Sequence, residues 1–169
     1  MILHDFTGRA EVIEPLLPAM FTIISENMSE ICPSENTLEE DRLSWTQAMH
    51  EELRNPEKHW IFIFSGEALA GYTLYRIIGD TLHMDEIQIS KPFQGDGRAF
   101  PMLMGKLLAD AGAAGVETLV SYANRQNLTS QGILAAMGLR VYEETPRGLR
   151  YRGRAEDAQA WYYTKYVAI

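Results

Sequence analysis

The chain has one cysteine, Cys32, in 169 residues. A single thiol cannot close an internal disulfide, so the fold is expected to rest on its core and to sit in a reducing compartment, the cytoplasm. No apolar run approaches the roughly 20 residues of a membrane-spanning helix. No basic segment followed by a short apolar one opens the chain, so neither a membrane nor a secretory leader is expected. Basic residues are also scarce: 15 Lys and Arg stand against 23 Asp and Glu, a net charge of −8. Nonspecific nucleic-acid binding depends on neutralising phosphates with Lys and Arg, so a nucleic-acid partner is not expected either. The acidic balance favours, weakly, a cationic substrate. Repeats, low-complexity tracts and interdomain linkers are missing. Residues 1–169 therefore read as one domain, and an apolar fraction of 46% is enough to give it a core.

What is present alternates between helical and strand periodicity. Ile2 to Phe6 is a short strand. Pro15 suits the first position of a helix that turns Leu16, Leu17, Met20, Ile23, Ile24 and Met28 inward, until Cys32-Pro33-Ser34 breaks it. Thr37-Leu38-Glu39-Glu40 has the form of a capping box for a second helix, with Leu38, Trp45, Met49 and Leu53 on its apolar side and Asn55-Pro56 at its end. Three strands follow, His59 to Ser65, Leu69 to Ile78 and Leu82 to Ser90. The turns Gly66-Glu67 and Gly79-Asp80 are short, which makes neighbouring strands antiparallel. Beyond the next helix, Val116 to Tyr122 is a strand that returns parallel to Leu82–Ser90, because a helix crosses between them. Asn127 suits a helix N-cap and Gly138 the residue after a helix end. Leu139 to Glu144 and Trp161 to Val167 read as a closing pair of strands around an arginine-rich loop. The fold class is α/β with a mixed sheet, antiparallel first and parallel in the middle.

The chain is organised around Leu82 to Ala111. A strand containing Ile87 and Ile89 stops at Lys91-Pro92. The loop Lys91-Pro92-Phe93-Gln94-Gly95-Asp96-Gly97-Arg98-Ala99 follows, and then a helix with Phe100, Leu103, Met104, Leu107, Leu108 and Ala111 on one face. Strand, glycine loop and helix N-terminus together suit a phosphate. The first helical N–H groups have no internal partner, the macrodipole favours an anion, and Gly95 and Gly97 let a ligand approach the backbone. Pro101 falls in the first turn, where its missing N–H costs little.

Gln94-x-x-Gly97-x-Ala99 matches the Gln/Arg-x-x-Gly-x-Gly/Ala motif of the GNAT superfamily of acetyl-CoA-dependent N-acetyltransferases. The flanks match as well. A strand with a carboxylate, Asp85-Glu86-Ile87-Gln88-Ile89, precedes the loop. A second strand, the turn Asn124 to Asn127 and a helix ending at Met137-Gly138-Leu139 come after it. From about Trp60 to the C-terminus the chain resembles that family. The resemblance implies a GNAT-like acyltransferase fold with a splayed parallel central pair, and acetyl-CoA as co-substrate with no metal. Backbone N–H groups of Gly95, Asp96, Gly97, Arg98 and Ala99, with Gln94 at the loop's start, would take the pyrophosphate. The main chain around Ile87 and Ile89 would pair with the pantetheine arm as an added strand does. Asn127 would bond the pantetheine or cap its helix, the two roles being compatible, and Ser130 lies in the first turn beside it. The acceptor would be a primary amine of a small molecule or a peptide, and a homodimer is common in such proteins.

Transfer to an amine calls for a base. An alkylammonium of pKa about 10.4 is neutral in only about one molecule in a thousand near pH 7.4. Glu86 is the first candidate, with Asp85 and His83 as alternatives. Strand alternation puts Glu86 on the face opposite His83, Asp85 and Ile87, and a bulge would exchange the faces. The chain departs from the family where many members carry a thiolate-protonating tyrosine: counting back from Gly138, Leu134 stands there. Tyr122, Tyr142 and Ser130 are substitutes by residue type. Arg147, Arg150, Arg152 and Arg154 form a basic patch, read as a solvated loop or as a contact for an anion. Two functions outside acetyl transfer are alternatives. One is a module that senses acyl-CoA without turnover. The other is a dinucleotide-binding enzyme, which fails because Phe100 stands where the third glycine belongs and no βαβ unit surrounds the loop.

Overall fold

The structure is a computed structural model and describes residues 1–168. Its strands are β1 (Ile2–Asp5), β2 (Lys58–Ser65), β3 (Ala68–Ile78), β4 (Thr81–Ile89), β5 (Thr118–Asn124), β6 (Arg140–Glu144) and β7 (Gly148–Arg154). They form one sheet in the order β1-β2-β3-β4-β5-β7-β6. The helices are α1 (Ala10–Ile13), α2 (Leu17–Ile31), α3 (Leu38–Glu52), α4 (Ala99–Ala113), α5 (Leu128–Ala136) and α6 (Ala155–Tyr162). Two compact units share the chain. One comprises Met1–Leu74 and Glu86–Leu103, the other Tyr75–Asp85 and the residues from Met104 onward.

In the first unit the core gathers Ile13, Leu17, Met20 and Ile23 with Trp60 and Phe62 of β2 and Tyr72 and Leu74 of β3. β2 is buried continuously from Trp60 to Ile63, as befits a strand covered on both faces. The helix expected from Pro15 has a longer lead-in. α1 and a 3-10 turn at Glu14–Leu16 precede α2, and Pro18 lies in α2's first turn, where the missing N–H is harmless. α3 begins as its sequence predicts. The Thr37 hydroxyl accepts from Glu40 N at 3.2 Å, and the Glu40 carboxylate accepts from Thr37 N at 2.8 Å. Trp45, Met49 and Leu53 pack on the core, whereas Leu38, expected on the same face, is 68% exposed.

In the second unit β4 and β5 are parallel, with Thr81 opposite Thr118 and Met84 opposite Ser121. β5 pairs antiparallel with β7 over its whole length, and β6 lies outside β7. Two readings of the C-terminal third are corrected here. The arginine-rich stretch is a strand: Leu149, Tyr151 and Gly153 alternate with Arg150, Arg152 and Arg154, and Tyr151 is buried. Trp161 to Val167 is no strand. It is the end of α6 followed by a π-turn at Tyr163–Val167. Ala155 and Ala158 are buried, and α6 lies so close to α4 that a Cβ on Gly105 would collide with the Tyr162 hydroxyl. Close helix packing thus overrides the β-propensity of an aromatic run.

Candidate active site

The face on which Glu86 lies follows from two side-chain bonds. The Arg76 guanidinium donates to both carboxylate oxygens of Asp85, at 2.8 and 2.9 Å. The Tyr72 hydroxyl donates to Glu86 Oε1 at 2.5 Å. Asp85 and Glu86 are thus held by different residues of β3, and the Tyr72 bond fixes the face of Glu86. Gln88 faces α2, where Asn27 Nδ2 donates to Gln88 Oε1 at 2.9 Å. The four-pair ladder to β5 ends at Met84–Ser121, immediately before Asp85.

The three carboxylate or imidazole candidates are thereby distinguished. Both oxygens of Asp85 are engaged by Arg76. His83 is half-buried, and desolvation, then the Arg76 charge, holds its imidazole below the usual histidine range against an opposing pull from Asp85. It is therefore neutral at pH 7. Glu86 is half-buried, with Tyr72 on Oε1 and its main-chain carbonyl accepting from the Thr73 hydroxyl at 2.9 Å. Burial, then the Glu86 charge, pushes the Tyr72 phenol well above its usual range, so it stays a neutral donor.

Toward the loop, β4 is held by α2 and β3. Ile89 O accepts from Asn27 Nδ2 at 3.0 Å and from Gln94 Nε2 at 2.9 Å, and the same Gln94 amide reaches Asn27 Oδ1 at 2.9 Å. Lys91 pairs with Glu30 of α2, and Ser90 N donates to Ala70 O at 2.9 Å. Gly71 permits this approach, because a Cβ there would meet Gln88 O at 2.7 Å. Gln94 thus fastens the entry of the loop, and the Ile89 carbonyl is already doubly bonded. The Ile87 and Ile89 side chains are half-buried.

Gly95 and Gly97 hold φ of +79° and +73°, and a Cβ on either would meet nothing within 4 Å. The loop is open on that side. Between the glycines, Asp96 Oδ1 accepts from Arg98 N at 2.9 Å and Ala99 N at 3.3 Å. Those backbone bonds, Arg98 N first, hold the Asp96 carboxyl below its usual range. A carboxylate of the protein thus occupies two of the N–H groups at the start of α4. Asp96 thereby caps the start of α4.

Farther along, Asn127 Oδ1 caps α5 by accepting from Ser130 N at 3.1 Å. Leu134 is buried at 7% exposure, and Tyr122 and Tyr142 are exposed. The arginines expected as one patch are largely matched. Arg150 lies 3.4 Å from Glu143, Arg152 stacks over Tyr142, and Arg154 pairs with Glu156 and Asp157. Among the described residues no group of three or more His, Cys, Asp or Glu is placed to hold a metal ion. No described helix is long and apolar enough to cross a membrane.

Sequence reasoning passed over Tyr72 and Asn27. Each carried a signal. Tyr72 brings a hydroxyl into a strand of buried residues, and a buried phenol needs a partner. Asn27 stands at i+7 from Met20 and i+4 from Ile23, a polar residue on the apolar stripe of α2.

No family model and no curated protein matches the chain. Solved structures do. The PaiA N-acetyltransferase of Thermoplasma acidophilum, solved in complex with coenzyme A, superposes with a TM-score of 0.73 at 15% identity, over 91% of this chain and 99% of that one. A Desulfovibrio desulfuricans protein assigned to the GNAT family gives a TM-score of 0.68 at 14% identity, over 91% and 98%. An acetyltransferase of Thermus thermophilus gives 0.63 at 20%, over 91% and 97%. With its mixed seven-stranded sheet and flanking helices, the chain has the fold of the GNAT acetyltransferases.

Proposed function

We propose that the protein is an N-acetyltransferase that moves an acetyl group from acetyl-CoA to a primary amine of a small molecule or a peptide, by direct attack in a ternary complex. The carrying observation is the Asp96 carboxylate on the N–H groups of Arg98 and Ala99: this glycine loop binds an oxyanion at the place where the motif calls for a pyrophosphate. The fit is supported by the open side of Gly95 and Gly97. Gly95 to Ala99 would hold the pyrophosphate once Asp96 swings away, and the main chain at Ile87 would meet the pantetheine. Asn127 and Ser130, at the start of α5, are proposed to meet the cofactor as well.

In this reading Glu86 accepts the proton of the amine. The freed nitrogen lone pair attacks the thioester carbonyl, and the C–S bond breaks with its electron pair on the departing sulfur. The second proton that the attacking nitrogen loses passes to that thiolate, so that a neutral amide and the free thiol of coenzyme A are formed. A thiol of pKa near 8.5 makes thiolate a fair leaving group, so the reaction does not need a tyrosine at Leu134. That buried leucine is also what favours the second reading, an acyl-CoA-binding module without turnover.

Calorimetric titration with acetyl-CoA tests the proposal. Wild type is expected to bind. Gly97→Glu is expected to lose the signal, because it puts an anion where the pyrophosphate lies. Gly97→Ala imposes the strain of a positive φ without the charge and separates the two effects. An amine panel with thiol detection then finds the acceptor, and turnover of none of them would favour the sensing module. No binding to wild type would overturn both readings. Asp96→Asn keeps a side-chain oxygen for the α4 N–H groups and removes a negative charge beside the pyrophosphate. It is expected to tighten acetyl-CoA binding by several-fold, up to about tenfold, the scale of one solvent-facing charge contact, in the same titration. The gain should shrink at high salt.

A further inference from the structure

We propose that Tyr72 is a positioning residue for Glu86, holding its carboxylate in one orientation and in the ionised, proton-accepting form. The inference rests on the reading of Glu86 as base. Tyr72 is fully buried, in the cluster formed by Met20, Trp60, Phe62 and Leu74. Its ring lies 6.3 Å from that of Phe62, centroid to centroid. A phenol so enclosed has little freedom, and its hydroxyl has one proton to give. Two acceptors are near it, Glu86 Oε1 at 2.5 Å and the Met20 carbonyl at 3.5 Å. The shorter contact has the length of a hydrogen bond to a charged oxygen, and the longer one lies at the limit of any bond. The proton therefore goes to Glu86.

The neighbouring residue of β3 adds a reason. Thr73, next to Tyr72 on β3, holds the Glu86 main-chain carbonyl at 2.9 Å. Consecutive β3 residues thus fasten the backbone and the side chain of Glu86. The chargeable neighbours along β4 are Asp85, committed to Arg76, and the neutral His83. From α2 the Tyr72–Glu86 pair meets the Met20 carbonyl, and one turn or more beyond it the uncharged Asn27.

A tyrosine that merely fills the core would, on truncation to phenylalanine, cost stability and nothing else. A positioning tyrosine alters Glu86. The test is Tyr72→Phe with the Glu86 carboxyl carbon followed by 13C NMR. Loss of a hydrogen bond to the charged form is expected to move the Glu86 titration midpoint upward. The acid limb of the kcat profile should move up with it. At neutral pH kcat should fall about tenfold, the scale of one hydrogen bond to a charged group, with KM for acetyl-CoA unchanged. An unmoved midpoint and an unmoved acid limb would overturn the proposal while leaving Glu86 as base. An active Glu86→Gln enzyme would instead overturn the reading beneath it. Should Tyr72→Phe not fold, the Tyr72 hydroxyl proton is read in wild type and Glu86→Gln. An upfield shift in the variant is expected when the acceptor loses its charge, and an identical resonance would refute the bond.

Discussion

Glu86→Gln is expected to lower kcat for acetyl transfer by about 10²- to 10⁴-fold, the range of a lost general base, with acetyl-CoA binding unchanged within error. The amide has the size of the carboxylate and can still accept from Tyr72, so the site keeps its shape and loses only its proton acceptor. The two alternatives do not compensate equally. Asp85 would first have to release a guanidinium that bonds both its oxygens. His83 is neutral already, because burial and Arg76 hold its pKa down, and it needs no such release. Steady-state kinetics with the best amine of the panel decide the matter. A loss of less than about threefold would move the role to His83, and His83→Gln would then carry the large effect. With Glu86 as base, kcat should fall on the acid side as its carboxyl takes up a proton, and this limb should be missing from the residual activity of Glu86→Gln.

Legibility in the sequence followed the range of the interactions. The capping box at Thr37–Glu40, the Asn127 cap and the loop glycines were readable because each is closed within a few residues. The antiparallel run and the parallel return of β5 followed from short turns and a crossing helix. The face of Glu86 was not readable. Its side chain is placed by a residue fourteen positions earlier, and nothing in Met84-Asp85-Glu86-Ile87 marks that partner; only the Tyr72 bond does. The C-terminal third was misread for a related reason. Trp161-Tyr162-Tyr163-Thr164 has strand-like composition, but Gly105 and Gly112 of α4 leave room for a helix, and Gln159 lies 3.3 Å from where a Gly112 Cβ would stand. Small residues seven apart on one helix, and Ala155 and Ala158 three apart on the next, were the signal. The arginines of β7 hid a period-two pattern behind their charge. Asp96 was legible as a loop residue. That its carboxylate would occupy the helix N-terminus depended on the loop's conformation.

Trp60→Ala is expected to destabilise the protein by about 3–5 kcal/mol, the range for truncating a buried Trp or Phe, read as a lower urea midpoint at unchanged slope. Trp60 is 2% exposed at the centre of the first unit's cluster. Its backbone is bonded independently of its side chain: Trp60 N donates to the Thr7 hydroxyl at 3.0 Å and Trp60 O accepts from Phe6 N at 2.9 Å. Those bonds survive truncation, so the loss measures indole packing alone. A loss below about 1 kcal/mol would mean that α2 collapses into the cavity, against the close packing expected of such a core. The same variant bears on the site. Trp60 and Tyr72 share a cluster, but the hydrogen bond to Glu86 belongs to Tyr72. If packing alone places Glu86, Trp60→Ala should disturb the acid limb of the kcat profile as Tyr72→Phe does. If the hydroxyl places it, Trp60→Ala should lose several times more stability than Tyr72→Phe and leave that limb where it was. The hydrogen bond at 2.5 Å, set against van der Waals contacts that other side chains of the cluster also supply, favours the second result.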